Sequence, residues 1–238
     1  MNSEEFISLL KTYNADLFVS MSFNQIFKSE IINLPMLKSI NCHAGKLPFY
    51  RGRNVLNWAL INDEEEFGIT VHYIDEGIDT GDIILQRIFS ITDLDNYKTL
   101  LEVAYTECAN ILYDAIILIK QNQINVIVQN QVHPVGMYCG RRHDGDERIN
   151  WNSTSRELFN FIRALCDPGI MARSFINDKL ICINESKMVE NAVKYKGIVG
   201  QILNKDIEGN FYVKTQDTIL KITDYIYEGI VRVGDRLI

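Results

Sequence analysis

The sequence predicts an α/β sheet protein with a small β-rich C-terminal part, and three observations lead there. Up to about residue 120, short β-branched apolar runs alternate with segments of helical period, the pattern of a parallel sheet flanked by helices. From residue 171 onward only short strand-type runs separated by turn residues remain. Hydrophobic residues make up 47% of the 238 and charged residues 23%, with a mean hydropathy of -0.05, too few charges and too many aromatics for disorder. That length suits one large domain or a domain with an appendage. The expected division is a core over residues 1–125, a linker and helix over 126–170, and a β-rich subdomain over 171–238.

Each element has a local reason. Ser3 caps a helix whose first turn holds Glu4 and Glu5 and whose apolar face is read as Phe6, Leu9, Leu10 and Tyr13. The run "DLFVSMSF" reads as a strand, "KSEIINL" as a helix stopped near Pro35, and "LKSINC" as a second strand. After the turn "KLPFYRGR" comes a helix, "NVLNWALIN", and then two β-rich runs, "FGITVHYID" and "DIILQRIFSI", joined by the Gly-containing loop "EGIDTG". A long helix with Leu101, Ala104, Cys108, Ile111, Leu112, Ala115 and Ile119 on one face is expected to cover the sheet. "NVIVQN" reads as a short strand before the turn-rich "HPVGMYCGRRHDGDERINW". Thr154 and Glu157 form a capping box ahead of a helix that turns Leu158, Phe161, Ile162 and Leu165 inward and ends at "DPG". "RSFINDKLICI", "KGIVGQILNK", "NFYVKT" and "TILKITDYIY" complete the β-rich part.

The net charge of -7 and a pI near 5.2 argue against a dominant electrostatic grip on nucleic acid, although local pairs such as Arg51 with Arg53, or Arg141 with Arg142, can hold a phosphate. Five cysteines, odd in number and never closer than 16 residues, match neither a zinc C-x-x-C pair nor a disulfide framework. They read as reduced thiols. "MNSEEFISLLKTYN" has no basic stretch followed by an apolar one, and no apolar run reaches the length of a membrane span. The expected location is the cytoplasm, with no membrane partner.

The chemistry lies in "INCHAGKLPFYRGRNVLNWA" and "EGIDTGD". Alternation along a strand sends Asn41 and His43 to the same side, and at the carboxyl end of a strand that side is the crevice where open α/β sheets bind ligands. Asp79, 36 residues beyond His43, supplies an acid on a second loop. A carboxylate beside an imidazole fixes its tautomer and raises its pKa, and an amide donates to an oxygen that becomes negative, a set suited to acyl transfer to an amine. An N-x-H at a strand end and an Asp in a Gly-rich turn are also common structural features. The residues alone leave both readings open.

"INCHAGKLPFYRGRNVLNWALIND" followed by "FGITVHYIDEGIDTGDIILQ" resembles the catalytic core of the 10-formyltetrahydrofolate-dependent formyltransferases, which include glycinamide ribonucleotide and methionyl-tRNA formyltransferases and the amino-sugar N-formyltransferases. The likeness covers residues 15 to 120 well and the rest more loosely. It implies a mostly parallel Rossmann-like sheet and a folate co-substrate without metal. Asn41 would hold the formyl oxygen, His43 would manage the amine proton, and Asp79 would position that histidine and a water. The pteridine would lie between "SMSFNQIF" and "YIDEGIDTG", with Ser22, Phe23, Ile26, Asp75, Gly77 and Ile78 as cofactor-binding residues. Tyr50, Arg51 and Arg53 are the acceptor-binding candidates, and "YRGRNVLNWA" is most similar to the enzymes acting on nucleotide-linked amino sugars, of the kind used in lipopolysaccharide or glycan biosynthesis. The tRNA enzymes typically continue the R-G turn with small residues and proline. A dTDP- or UDP-linked amino-deoxy sugar is thus the expected acceptor. Methionyl-tRNA or glycinamide ribonucleotide is the alternative, and a non-catalytic folate- or nucleotide-binding remnant is the third reading.

His72 reads as a pleat residue, His133 and His143 as exposed loop residues, Trp58 as core, and Trp151 as core or platform. The resemblance also implies a longer stretch before the N-x-H motif than the 40 residues present here. "ADLFVSMSF" would then be an edge strand rather than an interior one. The expectation is a fragment of a longer protein or a homodimer formed through that edge.

Overall fold

The structure, a computed structural model, describes residues 2–23 and 25–238. The chain divides into two compact units. One comprises Met1–Leu56, Glu65–Ile91 and Leu101–Arg141; the other comprises Asn57–Glu64, Thr92–Leu100 and Arg142–Ile238.

In the first unit, α1 (Glu4–Thr12) starts at Ser3, whose hydroxyl accepts the Phe6 N–H at 3.3 Å. Its buried residue is Ile7, flanked by half-buried Phe6 and Leu10, while Leu9 and Tyr13 are exposed, so the inward stripe keeps two of the four residues expected and centres on Ile7. β1 (Phe18–Met21), the short α2 (Ser29–Ile32) and β2 (Ser39–His43) follow. Beyond them in the chain come β3 (Arg51–Gly52), α3 (Val55–Ile61), most of which belongs to the second unit, β4 (Glu66–Tyr73), β5 (Ile83–Ser90) and the 24-residue α4 (Tyr97–Lys120), whose first turn belongs to the second unit. The sheet order is β1-β2-β4-β5. β1 and β2 pair in parallel, but β2 with β4 and β4 with β5 are antiparallel. The α/β class and the C-terminal β-rich part stand. The sheet is mixed rather than mostly parallel, because the short "EGIDTG" link returns β5 directly alongside β4 with no crossover helix between them.

α4 covers this sheet as its periodicity predicts. Ala104, Ile111, Ala115 and Ile119 are buried, and the Cys42 thiol of β2 donates to the Cys108 carbonyl of α4 at 3.6 Å. "NVIVQN" forms no strand. Ile127 makes an isolated bridge to Ile83, and the backbone then turns into α5 (Gln129–Val132), where the side chain of Gln129 is drawn into the core by hydrogen bonds. β6 (Tyr138–Cys139) pairs in parallel with β3.

The second unit is built on α6 (Ser155–Leu165). The expected capping box is present: Thr154 Oγ1 accepts the Glu157 N–H at 3.2 Å, and Glu157 Oε2 accepts the Thr154 N–H at 2.7 Å. β7 (Ala172–Ile176), β8 (Lys179–Met188), β9 (Ile202–Lys205), β10 (Phe211–Lys214) and β11 (Ile219–Tyr227) form an antiparallel sheet ordered β7-β8-β11-β10-β9. Leu158, Ile162 and Leu165 of α6 join Ile181, Ile183, Phe211 and Ile222 of that sheet in one core. Each such side chain contributes about 1.5–3 kcal/mol by leaving water. Trp151 is buried in this core, its indole N–H donating to Ser174 at 2.9 Å. Among the described residues no helix is long and apolar enough to cross a membrane.

Candidate active site

Antiparallel partners in a sheet point to one face, and the β2–β4 register pairs Asn41 with His72 and His43 with Thr70. All four therefore share the face opposite Cys42 and α4. Ser20 of β1 lies beside Asn41 in the parallel register. The loop after β4 folds back over this face, and Asp75 shapes it by accepting the Gly77 N–H at 3.0 Å and the Thr80 hydroxyl at 2.5 Å. Asp79, at the end of the loop, has a left-handed backbone with φ of 54°.

Asp79 Oδ2 accepts the Gly52 N–H at 2.8 Å and stands 3.7 Å from His43 Nδ1. Its Oδ1 accepts a long bond from Asn41 Nδ2 at 3.4 Å and lies 3.5 Å from His72 Nε2. Burial alone would raise the pKa of this carboxyl, but donation from His72 and the charge of His43, each when its ring is protonated, together with the Gly52 N–H outweigh it and bring the value down to about 2. At neutral pH the group is a carboxylate.

The histidine differs from the sequence reading in two respects. His43 Nε2 is 2.7 Å from the Tyr50 carbonyl, which only accepts, so Nε2 carries the proton and that carbonyl, not Asp79, fixes the tautomer. Nδ1 is left as the basic atom, on the side of Asp79. Burial pushes the pKa of His43 down by more than Asp79 and the Tyr50 carbonyl push it up, so the ring is neutral at pH 7 and not raised as expected. Gly45 makes this contact feasible: a Cβ there would stand 2.4 Å from both His43 Nε2 and the Tyr50 oxygen.

His72 belongs to the same cluster. It is 2% exposed, its Nδ1 donates to the Tyr73 carbonyl at 2.7 Å, and its Nε2 then accepts from Asn41 Nδ2 at 3.2 Å. The pleat reading is correct for its backbone but overlooks that its face is the site. The available signal is a histidine on an otherwise apolar strand, in phase with Thr70.

A pocket of about 450 Å³ opens over these groups. All six cofactor candidates, Ser22, Phe23, Ile26, Asp75, Gly77 and Ile78, line it together with Asn41, His43, His72 and Asp79. Asn24, within the "SMSFNQIF" segment, lies outside the described residues. Of the three acceptor candidates, Arg53 lines the pocket and is exposed, whereas Tyr50 and Arg51 are buried and line it nowhere. The Arg51 guanidinium is spent inside the protein, on Gln129 Oε1 at 3.0 and 2.7 Å and on the Val135 carbonyl at 3.2 Å. That removes it from direct contact with a ligand. His133 accepts the Gly136 N–H at 2.8 Å and is half-buried against the Phe49 ring, not exposed as expected, whereas His143 is the exposed loop residue expected. Arg142, one of the pair read as able to hold a phosphate, is half-buried over the Trp58 and Phe161 rings, at 5.8 and 5.5 Å.

Comparison with known proteins places this geometry. Residues 1–116 match the family model described as formyl transferase, and residues 143–230 match that of the formyl transferase C-terminal domain. A methionyl-tRNA formyltransferase of Thermodesulfovibrio yellowstonii is 34% identical over 223 residues, which are 93% of this chain and 69% of that protein. Among solved structures, the N-formyltransferase of Helicobacter canadensis, in complex with folinic acid and dTDP-3-aminofucose, superposes with a TM-score of 0.69 at 28% identity, covering 88% of this chain and 73% of that one. HypX from Aquifex aeolicus shares the fold, with a TM-score of 0.67 at 20% identity over 95% of this chain; the chain spans 40% of HypX's length.

Proposed function

The chain belongs to the formyl transferase family, and from that premise we propose that it moves a formyl group from 10-formyltetrahydrofolate to the amine of a dTDP- or UDP-linked amino-deoxy sugar. The observation that carries the catalytic part is the convergence of Asn41, His43 and Asp79 on one pocket with His43 Nδ1 left as the free base. The pocket walls fit the co-substrate: Phe23, Ile26 and Ile78 present apolar surface to a flat ring, and Ser22 and Asp75 offer polar partners for its edge. When bound, the folate supplies an activated formyl carbon.

The protein's own groups then have distinct tasks. His43 Nδ1 takes the proton released as the amine becomes an amide nitrogen and returns it to the folate nitrogen whose bond to the formyl carbon breaks, while its Nε2–H stays on the Tyr50 carbonyl. The Asn41 amide donates to the formyl oxygen as negative charge develops there. Its long 3.4 Å bond to Asp79 is the one given up at least cost, and the bond to His72 keeps the amide turned the right way. Asp79 stays ionised and stabilises the imidazolium as it forms.

Arg53, exposed at the pocket wall, suits a nucleotide phosphate. Residues 142–238 carry 14 acidic and 14 basic side chains, so the C-terminal region offers no excess charge to hold a tRNA. The relatedness to methionyl-tRNA formyltransferases at 34% identity favours a second reading, in which the acceptor is methionyl-tRNA. Mixing the protein with 10-formyltetrahydrofolate and each acceptor in turn, while following folate absorbance, separates the two. Turnover with an amino sugar is expected; faster formylation of methionyl-tRNA overturns the sugar assignment.

A further inference from the structure

Gln129 lies in a polar stretch with no motif, yet it is 2% exposed and every hydrogen-bonding position of its amide is used. Its oxygen accepts Arg51 Nε at 3.0 Å and Arg51 Nη2 at 2.7 Å. Its nitrogen donates to the Asp79 carbonyl at 2.9 Å and to the Gly81 carbonyl at 2.6 Å. The orientation is unambiguous, because a guanidinium only donates and a carbonyl only accepts. A buried guanidinium is costly unless its donors are met, and here they are met by neutral oxygens, Gln129 Oε1 and the Val135 carbonyl.

The turn that Gln129 grips is a strained one. Asp79 is a non-glycine residue at φ 54°, a conformation that persists only where its surroundings enforce it. Among the hydrogen bonds on this turn, two ties start from β3: the Gly52 N–H on the carboxylate, and Arg51 through Gln129 on the backbone. We infer that Gln129, locked by Arg51, is a positioning pair that sets the Asp79 turn and thereby keeps the carboxylate facing His43. The inference rests on the formyl-transfer reading for its kinetic consequence but not for its structural one.

Gln129→Glu keeps the volume and the Arg51 contact but turns an acceptor toward two carbonyls. Arg51→Lys keeps the charge and loses the fork. Gln129→Ala removes both sides of the relay. Hydrogen exchange of the peptide covering residues 75–82 should quicken by about tenfold or more in each folded variant, with β8 and β11 unchanged. Formyl transfer should lose about 10²-fold in kcat, since the carboxylate is misplaced, while KM for the folate changes by less than about threefold. If Gln129→Ala does not fold, the other two variants carry the test. Wild-type exchange of the 75–82 peptide in a folded variant overturns the inference, and so does a loss confined to KM. Should the wild type formylate no amine at all, the functional reading falls, while the exchange measurement still decides whether the pair holds the turn.

Discussion

At His43 two influences oppose each other, and burial prevails over the Asp79 charge. With His43 as the proposed base, kcat/KM should show an acid limb below the ordinary histidine value of 6.5. Asp79→Asn removes a charge that favours the imidazolium, so the limb should move to still lower pH while kcat falls. A limb at or above 6.5 in the wild type contradicts this assignment. Stability follows the same direction. Below pH 6.5 the unfolded chain protonates His43 and the folded one resists, so the folded state loses ground as pH falls through that window. Asp79 adds stability that is fully present above its ordinary 3.8 and is lost as pH falls toward 2. His43→Ala should lower kcat by about 10²–10⁴-fold and Asn41→Ala by about 10²–10³-fold, in a formyl-transfer assay at saturating folate. The positions of Asn41, His43 and Asp79 were legible because strand alternation and a Gly-rich acidic loop are local signals. The cost of burying His43 was not, because desolvation depends on what the rest of the chain packs over the ring.

The elements that carry these residues tolerate little change at their junctions. Gly52 sits at φ +95°, and a Cβ there would stand 2.4 Å from the Cys139 carbonyl. Gly52→Ala should therefore part β3 from β6 and withdraw the N–H that Asp79 accepts, lowering both the unfolding midpoint and kcat. An Ala variant with wild-type values of both would show that this turn can relax freely. At α6 the change should be confined to stability. Thr154→Ala removes the cap and costs about 1 kcal/mol, or about 2–4 °C in Tm for a protein of this size, readable by thermal unfolding. The capping box and the α4 stripe were legible at this scale because both are written within a few residues. The hydrogen bonds from Arg51 to Gln129 were not: they join residues 78 apart, and nothing in "NVIVQNQ" distinguishes a buried amide from an exposed one. The same blindness turned Arg51 into an acceptor candidate, when only Arg53 of the pair reaches the pocket.

For the whole molecule, the net charge of -7 and the balanced C-terminal region set how salt should act. A protein gripping 6–10 tRNA phosphates would lose about 10³–10⁵-fold in affinity between 50 and 200 mM salt. With a nucleotide sugar as acceptor, KM should rise by less than about tenfold over that range; a steep rise would return the tRNA reading to the front. The register of β2 against β4 reaches further than either strand. Because Asn41 and His43 face His72 and Thr70 while Cys42 and Val71 face α4, a slip of one residue would bury the amide and the imidazole and present a thiol and a valine to the pocket. A slipped register of this strand pair therefore leaves no weaker version of the proposed site, only a surface without its amide and imidazole. Activity lost on mild heating should track the fraction of molecules in which this one strand pair has come apart.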